Sequence, residues 1–193
     1  PSVPANNVKE LIALSQKGTV LSYGSSGNGG GTHLAGELFN MEAGTQLQHI
    51  PYKGMGPLMN DVLGGHLDYM FSDLSPALPL IRDGKLRALG VTSATRVPTA
   101  MEIPTLAESG VPDYEAVAWL MIVTHAGTPP GVLDTLHREV KAALAQPDVR
   151  EQIARLGMIP QDTPSPEELR RYVASETVRW RKIVEQAGAV GIE

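Results

Sequence analysis

The sequence predicts an α/β fold in which parallel strands alternate with helices that cover the faces of one sheet. Between residues 6 and 95, short apolar segments typical of strands alternate with segments whose apolar side chains recur at helical spacing. The loops that leave the strands are too long for hairpins, which favours parallel pairing. The polar loops follow strands, so they are expected at the carboxyl edge of the sheet, where such folds bind ligands.

The first predicted helix spans residues 7–17, where Val8, Leu11, Ile12 and Leu14 have helical spacing. The remaining elements of this part are predicted, in order, as a strand at 19–23, a loop at 24–31, a helix at 32–41, a strand at 46–52, a loop at 53–56, a helix at 57–63, a strand at 67–71, a short helix that ends near residue 84, and a strand at 86–92.

The second part of the chain is predicted to be mostly helical. An apolar stretch at 114–124 precedes a helix that opens at 128–131. Within this stretch we expect Trp119 to be buried in the core, with stacking on a ligand as the alternative. Ser165 and Glu168 form a capping box at the start of a long final helix. The other elements are a short helix at 149–156 and a strand candidate at 158–161. One strand cannot form a sheet, so we expect this part to pack on something outside these residues or across a partner chain.

The composition excludes several classes of function. The 193 residues carry a net charge of −5 with scattered Lys and Arg, which does not suit a nucleic-acid partner. No cysteine is present, so disulfides and thiolate chemistry are excluded. The longest apolar run, 117–123, is too short to span a bilayer. The chain starts at Pro1 without an initiator Met, which we interpret as a start within a longer protein.

The most informative segment is the glycine-rich loop at 24–31, between a predicted strand and a predicted helix. Four glycines within five residues allow backbone conformations and close approaches that side chains would prevent. Free amide N–H groups at the start of a helix form an anion site, which the helix dipole strengthens. We therefore predict that this loop binds an anion and is more than a flexible turn. The candidate residues are Ser25, Ser26, Gly27, Asn28, Gly30, Gly31 and Thr32.

Known catalytic and phosphate-binding patterns fail in this loop. A Walker A motif needs Lys and then Ser or Thr after its last glycine, but Gly29 is followed by two further glycines. The dinucleotide fingerprint would need glycine in place of Thr32, and the nucleophile elbow would need glycine in place of Asn28. A nucleotide-dependent or protease-like enzyme is therefore disfavoured.

The histidines do not predict a metal site. His33 and Glu37 share a helix face and could ligate a metal, but the sequence places no third ligand near them. We interpret His33 as a residue near a helix start that hydrogen-bonds the preceding loop. No metal, no cofactor and no catalytic residue is predicted.

Two further loops supply candidate ligand residues. Tyr52, Lys53 and Gly54 close the second strand and offer a hydroxyl, a positive charge and a tight turn to an anion, although Tyr52 could serve packing alone. Ser72 and Asp73 follow the third strand. Asp73 either caps the next helix or accepts a hydrogen bond from a ligand amine or hydroxyl.

The same residues resemble the substrate-binding components of tripartite tricarboxylate transporters, the TctC or Bug family of periplasmic solute-binding proteins. The resemblance extends over essentially the whole chain, and the order of its blocks is specific. These blocks are residues 23–29 with 32–39, His49-Ile50-Pro51-Tyr52-Lys53-Gly54, residues 61–68 with Phe71, Arg87-Ala88-Leu89-Gly90-Val91-Thr92, residues 104–110, and Ala118-Trp119.

The resemblance implies two α/β lobes of the type II periplasmic-binding-protein kind, which close on a ligand between them. Residues 1–116 would form the second lobe with its ligand loops. Residues 117–193 would cross back and complete a first lobe whose start is missing here. The ligand carboxylate would be held by backbone amides and hydroxyls, although Gly30 and Gly31 stand where the family often has Ser.

The function implied by the resemblance is periplasmic capture of a small carboxylate, an organic acid or an amino acid, and its delivery to membrane permease subunits. The identity of the acid stays open. Two alternatives are a ligand sensor for a two-component system and an enzyme on the same fold with Asp73 or His33 as base. We also expect the apolar surface of the second part to favour self-association.

Overall fold

The structure, a computed structural model, describes residues 3–189. The helices are α1 (Val8–Gln16), α2 (Gly31–Ala43), α3 (Met55–Gly64), α4 (Leu74–Arg82), α5 (Pro130–Leu144), α6 (Pro147–Arg155) and α7 (Pro166–Gln186), with a short 3₁₀ turn at Pro98–Ala100. The strands are β1 (Ser22–Ser25), β2 (Gln48–Pro51) and β3 (Tyr69–Met70).

The three strands form one parallel sheet in the order β2-β1-β3, which confirms the predicted α/β fold with parallel strands and flanking helices. Tyr23 of the central strand β1 is paired with His49 of β2 on one side and with Tyr69 of β3 on the other. Because parallel strands share one direction, the loops after β1, β2 and β3 all leave the same edge.

The core lies between the sheet and the helices α1 and α2. Tyr23, Phe39 and Tyr114 are each almost completely buried in it. Tyr23 packs directly on the backbone of α2 at Gly36, where a Cβ atom would lie 2.1 Å from the Tyr23 ring. Only glycine therefore allows α2 to approach β1 this closely.

Two predicted strands are wrong. Residues 86–92 contain a single bridge, in which Val91 donates its N–H to Pro104 and accepts from Leu106, so they pair with a neighbouring loop and do not join the sheet. Residues 158–161 are irregular because no strand of the described chain runs beside them. The predicted capping box is confirmed, since Ser165 and Glu168 exchange both hydrogen bonds at the start of α7.

The second part of the chain is poorly buried. Helices α5 and α6 have no buried residue, and α7 buries Ile183 alone. The prediction that Trp119 belongs to the core is wrong, because 40% of it is exposed, and its ring lies edge-to-face with that of Tyr172. Among the described residues, no helix has the length and apolar character that a membrane crossing requires. The predicted division into residues 1–116 and 117–193 stays a prediction. Residues 1–2 of the first part and residues 190–193 of the second lie outside the described residues.

Candidate functional site

The three predicted ligand loops meet at the carboxyl edge of the sheet. The backbone carbonyl of Ser25 accepts a hydrogen bond from the N–H of Tyr52 at 3.0 Å, and that of Ser26 accepts from Gly54 at 3.0 Å. On the other side, the N–H of Phe71 donates to Gly24 at 3.2 Å. The loop after β1 therefore lies between the other two, so residues distant in sequence border one surface.

The loop after β1 holds its own shape through short-range hydrogen bonds. The N–H of Ser26 donates to the hydroxyl of Thr32 at 3.0 Å, and the two side-chain hydroxyls also lie 3.0 Å apart. The Ser25 hydroxyl donates to the carbonyl of Gly27 at 3.0 Å. Ser25 is fully buried, so its side chain supports the loop from the interior of the protein.

The start of α2 presents unused donors. No described residue accepts a hydrogen bond from the backbone N–H groups of Gly31, Thr32 and His33, the first three of the helix. Gly30 is the N-cap in an extended conformation and has no side chain to satisfy them. A Cβ atom added at Gly31 would meet nothing within 4 Å, so there is open space beside the first helical residue. This arrangement suits an anion, because the donors and the helix dipole point to the same space.

The loop after β2 contributes one cation and a constrained turn. Lys53 is exposed, and no other residue predicted to bind ligand carries a positive charge. Gly54, the N-cap of α3, has a φ of 100°, a conformation that side chains rarely adopt. The Tyr52 hydroxyl donates to Asp61 at 2.8 Å, which leaves its oxygen as an acceptor. Burial and this hydrogen bond raise the pKa of Tyr52, so it stays protonated at neutral pH.

The loop after β3 places a carboxylate at the same edge. Asp73 is the N-cap of α4 in position, but its side chain makes no capping hydrogen bond and is exposed. The Ser72 hydroxyl donates to the carbonyl of Asp73 at 2.7 Å. The Asp73 carboxylate is therefore available to accept a hydrogen bond from outside the chain.

The prediction that His33 hydrogen-bonds the preceding loop is confirmed. The structure also places His49 beside it, a contact that was not predicted from the sequence. The Nδ1 atom of His33 accepts the N–H of Gly29 at 3.0 Å. Its ring stacks on His49, with ring centroids 3.8 Å apart, and the Nε2 atom of His49 lies 2.6 Å from the Ser25 hydroxyl. Only the pairing of β1 with β2 brings His49 here, and strand order cannot be read from one sequence. Within residues 3–189 no three potential metal ligands cluster.

The fold and the arrangement of the loops indicate the class of protein to which this chain belongs. An α/β lobe with adjoining polar loops at its sheet edge, one of them opening on unused helix amides, is the form of a solute-binding lobe. Residues 1–189 match the profile of the family described as TctC, the tripartite tricarboxylate transporter family receptor. The chain belongs to this family.

Two curated relatives show how much of a family member the chain spans. The UPF0065 protein in the tcbD-tcbE intergenic region of Pseudomonas sp. (strain P51) is 38% identical over 165 residues, 85% of this chain and 49% of its own length. Protein BugT of Bordetella pertussis is 33% identical over 191 residues, 98% of this chain and 58% of its own length. The chain thus spans about half the length of these relatives.

Solved structures share the fold. R. palustris Rpa4515 with adipate aligns with a TM-score of 0.84 at 34% identity, covering 97% of this chain and 62% of that one. The periplasmic binding protein BugD aligns with a TM-score of 0.80 at 35% identity, covering 97% and 64%. MatC from Rhodopseudomonas palustris with bound malate aligns with a TM-score of 0.75 at 28% identity, covering 94% and 63%.

Proposed function

We propose that this chain supplies one side of a binding site for a small carboxylate, in a receptor that captures organic acids for a tripartite tricarboxylate transporter. The observation that carries the proposal is the set of unused N–H groups of Gly31, Thr32 and His33, which face open space at the start of α2. Family membership supports the receptor role. The two similar structures that hold adipate and malate support the choice of a carboxylate.

The three loops would divide the ligand between them. A carboxylate oxygen would accept hydrogen bonds from the α2 amides, as anions do at helix starts. Lys53 would add a solvent-screened attraction from the second loop. Asp73 repels a carboxylate, so it would instead accept a hydrogen bond from a ligand hydroxyl or amine. The candidate ligand residues are those predicted from the sequence: Ser25, Ser26, Gly27, Asn28, Gly30, Gly31, Thr32, Tyr52, Lys53, Gly54, Ser72 and Asp73. Ser25 is fully buried, so it would act by supporting the loop and not by touching the ligand.

The decisive variant is Gly30→Asp in the full-length protein. A Cβ atom at Gly30 would lie 3.7 Å from the Gly27 carbonyl, an ordinary contact, so the new side chain fits. Aspartate is a favoured N-cap whose carboxylate bonds the N–H groups of the second and third helical residues, here Thr32 and His33. The variant should therefore fold normally and occupy its own anion site. We expect adipate or malate affinity to fall by about 100-fold or more, because two charged hydrogen bonds are lost.

Two controls separate this explanation from its competitors. Gly131→Asp adds the same charge in the first turn of α5, where a Cβ atom also meets nothing within 4 Å, and should leave affinity unchanged. Lys53→Met tests whether one cation dominates binding. If calorimetry finds normal binding by Gly30→Asp and none by Lys53→Met, the amide proposal is wrong.

A milder variant measures the contribution of the loop hydroxyl. Thr32→Val removes the acceptor for the N–H of Ser26 and leaves the α2 amides in place. We expect a loss of about 1 to 3 kcal/mol in binding free energy by calorimetry if the Thr32 hydroxyl bonds the charged ligand. A larger loss than that of Gly30→Asp would contradict the leading role of the amides.

We further propose that residues 117–189 pack against another lobe in the full-length receptor, as the resemblance implies. Leu120, Ile122 and Val123 are 78% to 86% exposed, which is unusual for neighbouring apolar side chains of a folded protein. Hydrogen exchange should show residues 117–124 protected in the full-length protein and unprotected in this chain. One lobe leaves one face of the ligand in water, so this chain should also bind adipate or malate more weakly than the full-length protein. Equal affinity would contradict the two-lobed arrangement.

Delivery to membrane permease subunits from the periplasm is part of the proposal, and family membership supports it. Cells that lack the receptor should lose uptake of the bound acid, and plasmid-borne wild type should restore it. Gly30→Asp should fail to restore uptake although the protein accumulates normally. Restoration by this variant would separate the uptake role from the proposed carboxylate site.

A further inference from the structure

A buried polar cluster lies directly behind the loop after β1. Its members are two histidines, a tyrosine, a glutamate and a serine: His33, His49, Tyr23, Glu37 and Ser25. The His33 ring, 5% exposed, stacks on that of His49 with a centroid distance of 3.8 Å and an angle of 17° between the planes. Removing polar groups from water costs free energy unless hydrogen bonds compensate for it, so each contact in the cluster constrains the others.

The bond from Gly29 fixes the protonation of His33. Because Nδ1 accepts the N–H of Gly29 at 3.0 Å, it carries no proton, and the proton of the neutral ring is on Nε2. That nitrogen lies 3.8 Å from Glu37, which receives the Tyr23 hydroxyl at 2.5 Å. Burial lowers the pKa of His33 and outweighs the raising effect of Glu37, so the ring is neutral at pH 7 and the contact with Glu37 is not an ion pair.

The second histidine has a matching arrangement. The single proton of the Ser25 hydroxyl goes to the Gly27 carbonyl, which can only accept. The 2.6 Å contact between Ser25 and His49 then requires a proton on Nε2 of His49. Burial and the neighbouring His33 ring lower the pKa of His49 to about 4, so this ring is also neutral at pH 7.

We propose that neutral His33 is a positioning residue of the carboxylate site: its Nδ1 holds Gly29 back against the cluster, so that the amides of Gly31, Thr32 and His33 are left pointing at the ligand. His33 contributes to both sides of this geometry, since its side chain binds Gly29 while its own N–H is one of the unused donors. His49 supports the arrangement by stacking on the ring and by bonding Ser25 at the opposite end of the loop. The inference rests on the proposed carboxylate function.

Two substitutions separate the hydrogen bond from mere packing. In His33→Asn the side-chain oxygen takes the place of Nδ1 and can still accept from Gly29. In His33→Gln the polar group lies where Nε2 was, and Gly29 loses its acceptor. Hydrogen exchange by NMR at pH 7 should show a protected Gly29 amide in the wild type and in His33→Asn, and faster exchange in His33→Gln. Affinity for adipate or malate should fall about tenfold in His33→Gln and much less in His33→Asn.

Acid provides a readout that packing alone would not give. Protonation of Nδ1 turns the acceptor for Gly29 into a donor and breaks the bond. Because the pKa of His33 is lowered from 6.5, the bond should persist at pH 6.5 and fail at more acidic pH. The charged groups that face the ring are Glu37 and, if protonated, His49, together with the neutral Tyr23 hydroxyl. The ratio of wild-type affinity to that of His33→Asn at each pH cancels titration of the ligand itself, and this ratio should fall with acid.

The outcomes distinguish this inference from the proposed function. Equal Gly29 exchange in all three proteins overturns the positioning role, as does normal affinity in His33→Gln. An affinity ratio that stays flat from pH 7 down to the lowest pH at which both proteins remain folded also overturns it. If Gly29 behaves as expected but neither acid binds the wild type, the positioning of the loop stands and the proposed carboxylate function fails.

Discussion

The two parts of this chain are stabilised by different means. In residues 3–116, a parallel sheet and its helices bury a continuous core that includes Tyr23, Phe39 and Tyr114. In residues 117–189, Ile183 and Ala189 are the only apolar residues that the structure shows as buried. The helices of the second part depend mainly on local signals such as the Ser165 capping box. Sequence patterns therefore predict both kinds of helix, although only one kind is supported by a core within the described part of this chain.

The second part contacts the first at only a few places, among them α7 beside α2, α6 beside the 3₁₀ turn, and Gly157 beside Ser75. Ile183 and Trp180 of α7 pack at the core beside α2, and Arg179 donates to the backbone carbonyl of Glu115. At the last of these contacts, Gly157 lies so near Ser75 that a Cβ atom would be 3.1 Å from the Ser75 nitrogen. These contacts orient the tail without giving it a core of its own.

The largest effect on stability is expected from a core substitution in residues 3–116, compared with an apolar substitution in residues 117–189. Phe39→Ala removes a ring that is 2% exposed and should lower the free energy of unfolding by about 3 to 5 kcal/mol. Leu136→Ala on α5 removes an apolar side chain that is 47% exposed and should cost less than about 1 kcal/mol. Urea unfolding followed by circular dichroism measures both. Similar losses would show that α5 is buried in solution, and they would contradict the difference between the two parts.

A close approach within the lobe should give the next largest effect. Gly36→Ala places a methyl group 2.1 Å from the rigid ring of Tyr23 and should destabilise the protein by about 1 to 3 kcal/mol. Gly56→Ala is the matched control, because it is also helical but its Cβ atom meets nothing within 4 Å. The control should be neutral or stabilising by up to about 1 kcal/mol, as Ala is the better helix former. Equal midpoints in urea for the two variants would contradict the packing of α2 on β1.

The capping box should matter most where no core assists the helix. Ser165→Ala removes the acceptor for the N–H of Glu168 and should cost about 1 kcal/mol, seen as faster hydrogen exchange in the first turn of α7. Hydrogen bonds from the Ser165 side chain and backbone lower the pKa of Glu168, so the cap is complete above the ordinary pKa of glutamate and is lost as pH falls through the lowered value.

The matched variant is Asn7→Ala at the start of α1, where the Asn7 side chain accepts the N–H of Glu10. In this helix, unlike the first turn of α7, Val8 and Leu11 are buried. The first turn of α1 should stay protected in that variant because the core holds it. Equal fraying of both helices would show that the core adds nothing to α1.

The fold could be predicted where local signals decide the structure, and not where a distant partner decides it. Asn7, Ser165 and the loop glycines mark helix starts and ends by their own chemistry, and these bounds agree with the structure within a few residues. Residues 86–92 have the composition of a strand, but their partner is the loop at Pro104 to Leu106 and not the sheet. Composition cannot show which neighbour a segment will have.

The candidate site follows the same rule. Its three loops could be placed at one edge because parallel strands require it. The inward position of Ser25 and its contact with His49 depend on the register of β1 against β2, which one sequence does not contain. Trp119 shows the limit for the tail, since an apolar stretch predicts burial but not which surface buries it.

The smallest effect on stability should come from the exposed apolar stretch of the tail, although its effect on association should be clear. Leu120, Ile122 and Val123 are 78% to 86% exposed, and no described residue bonds the backbone of residues 117–123. A segment with open backbone groups and exposed apolar side chains offers a surface for pairing with a second copy. Replacing all three with Ser should change the free energy of unfolding of this chain by less than about 0.5 kcal/mol, as surface substitutions usually do. The same change should shift sedimentation velocity profiles toward the monomer.

Val20→Ser is the control from the lobe, equally exposed at 80% but isolated, and should leave the profile as it is. If the triple variant associates as strongly as the wild type while remaining folded, the tail is not the surface through which copies of this chain meet.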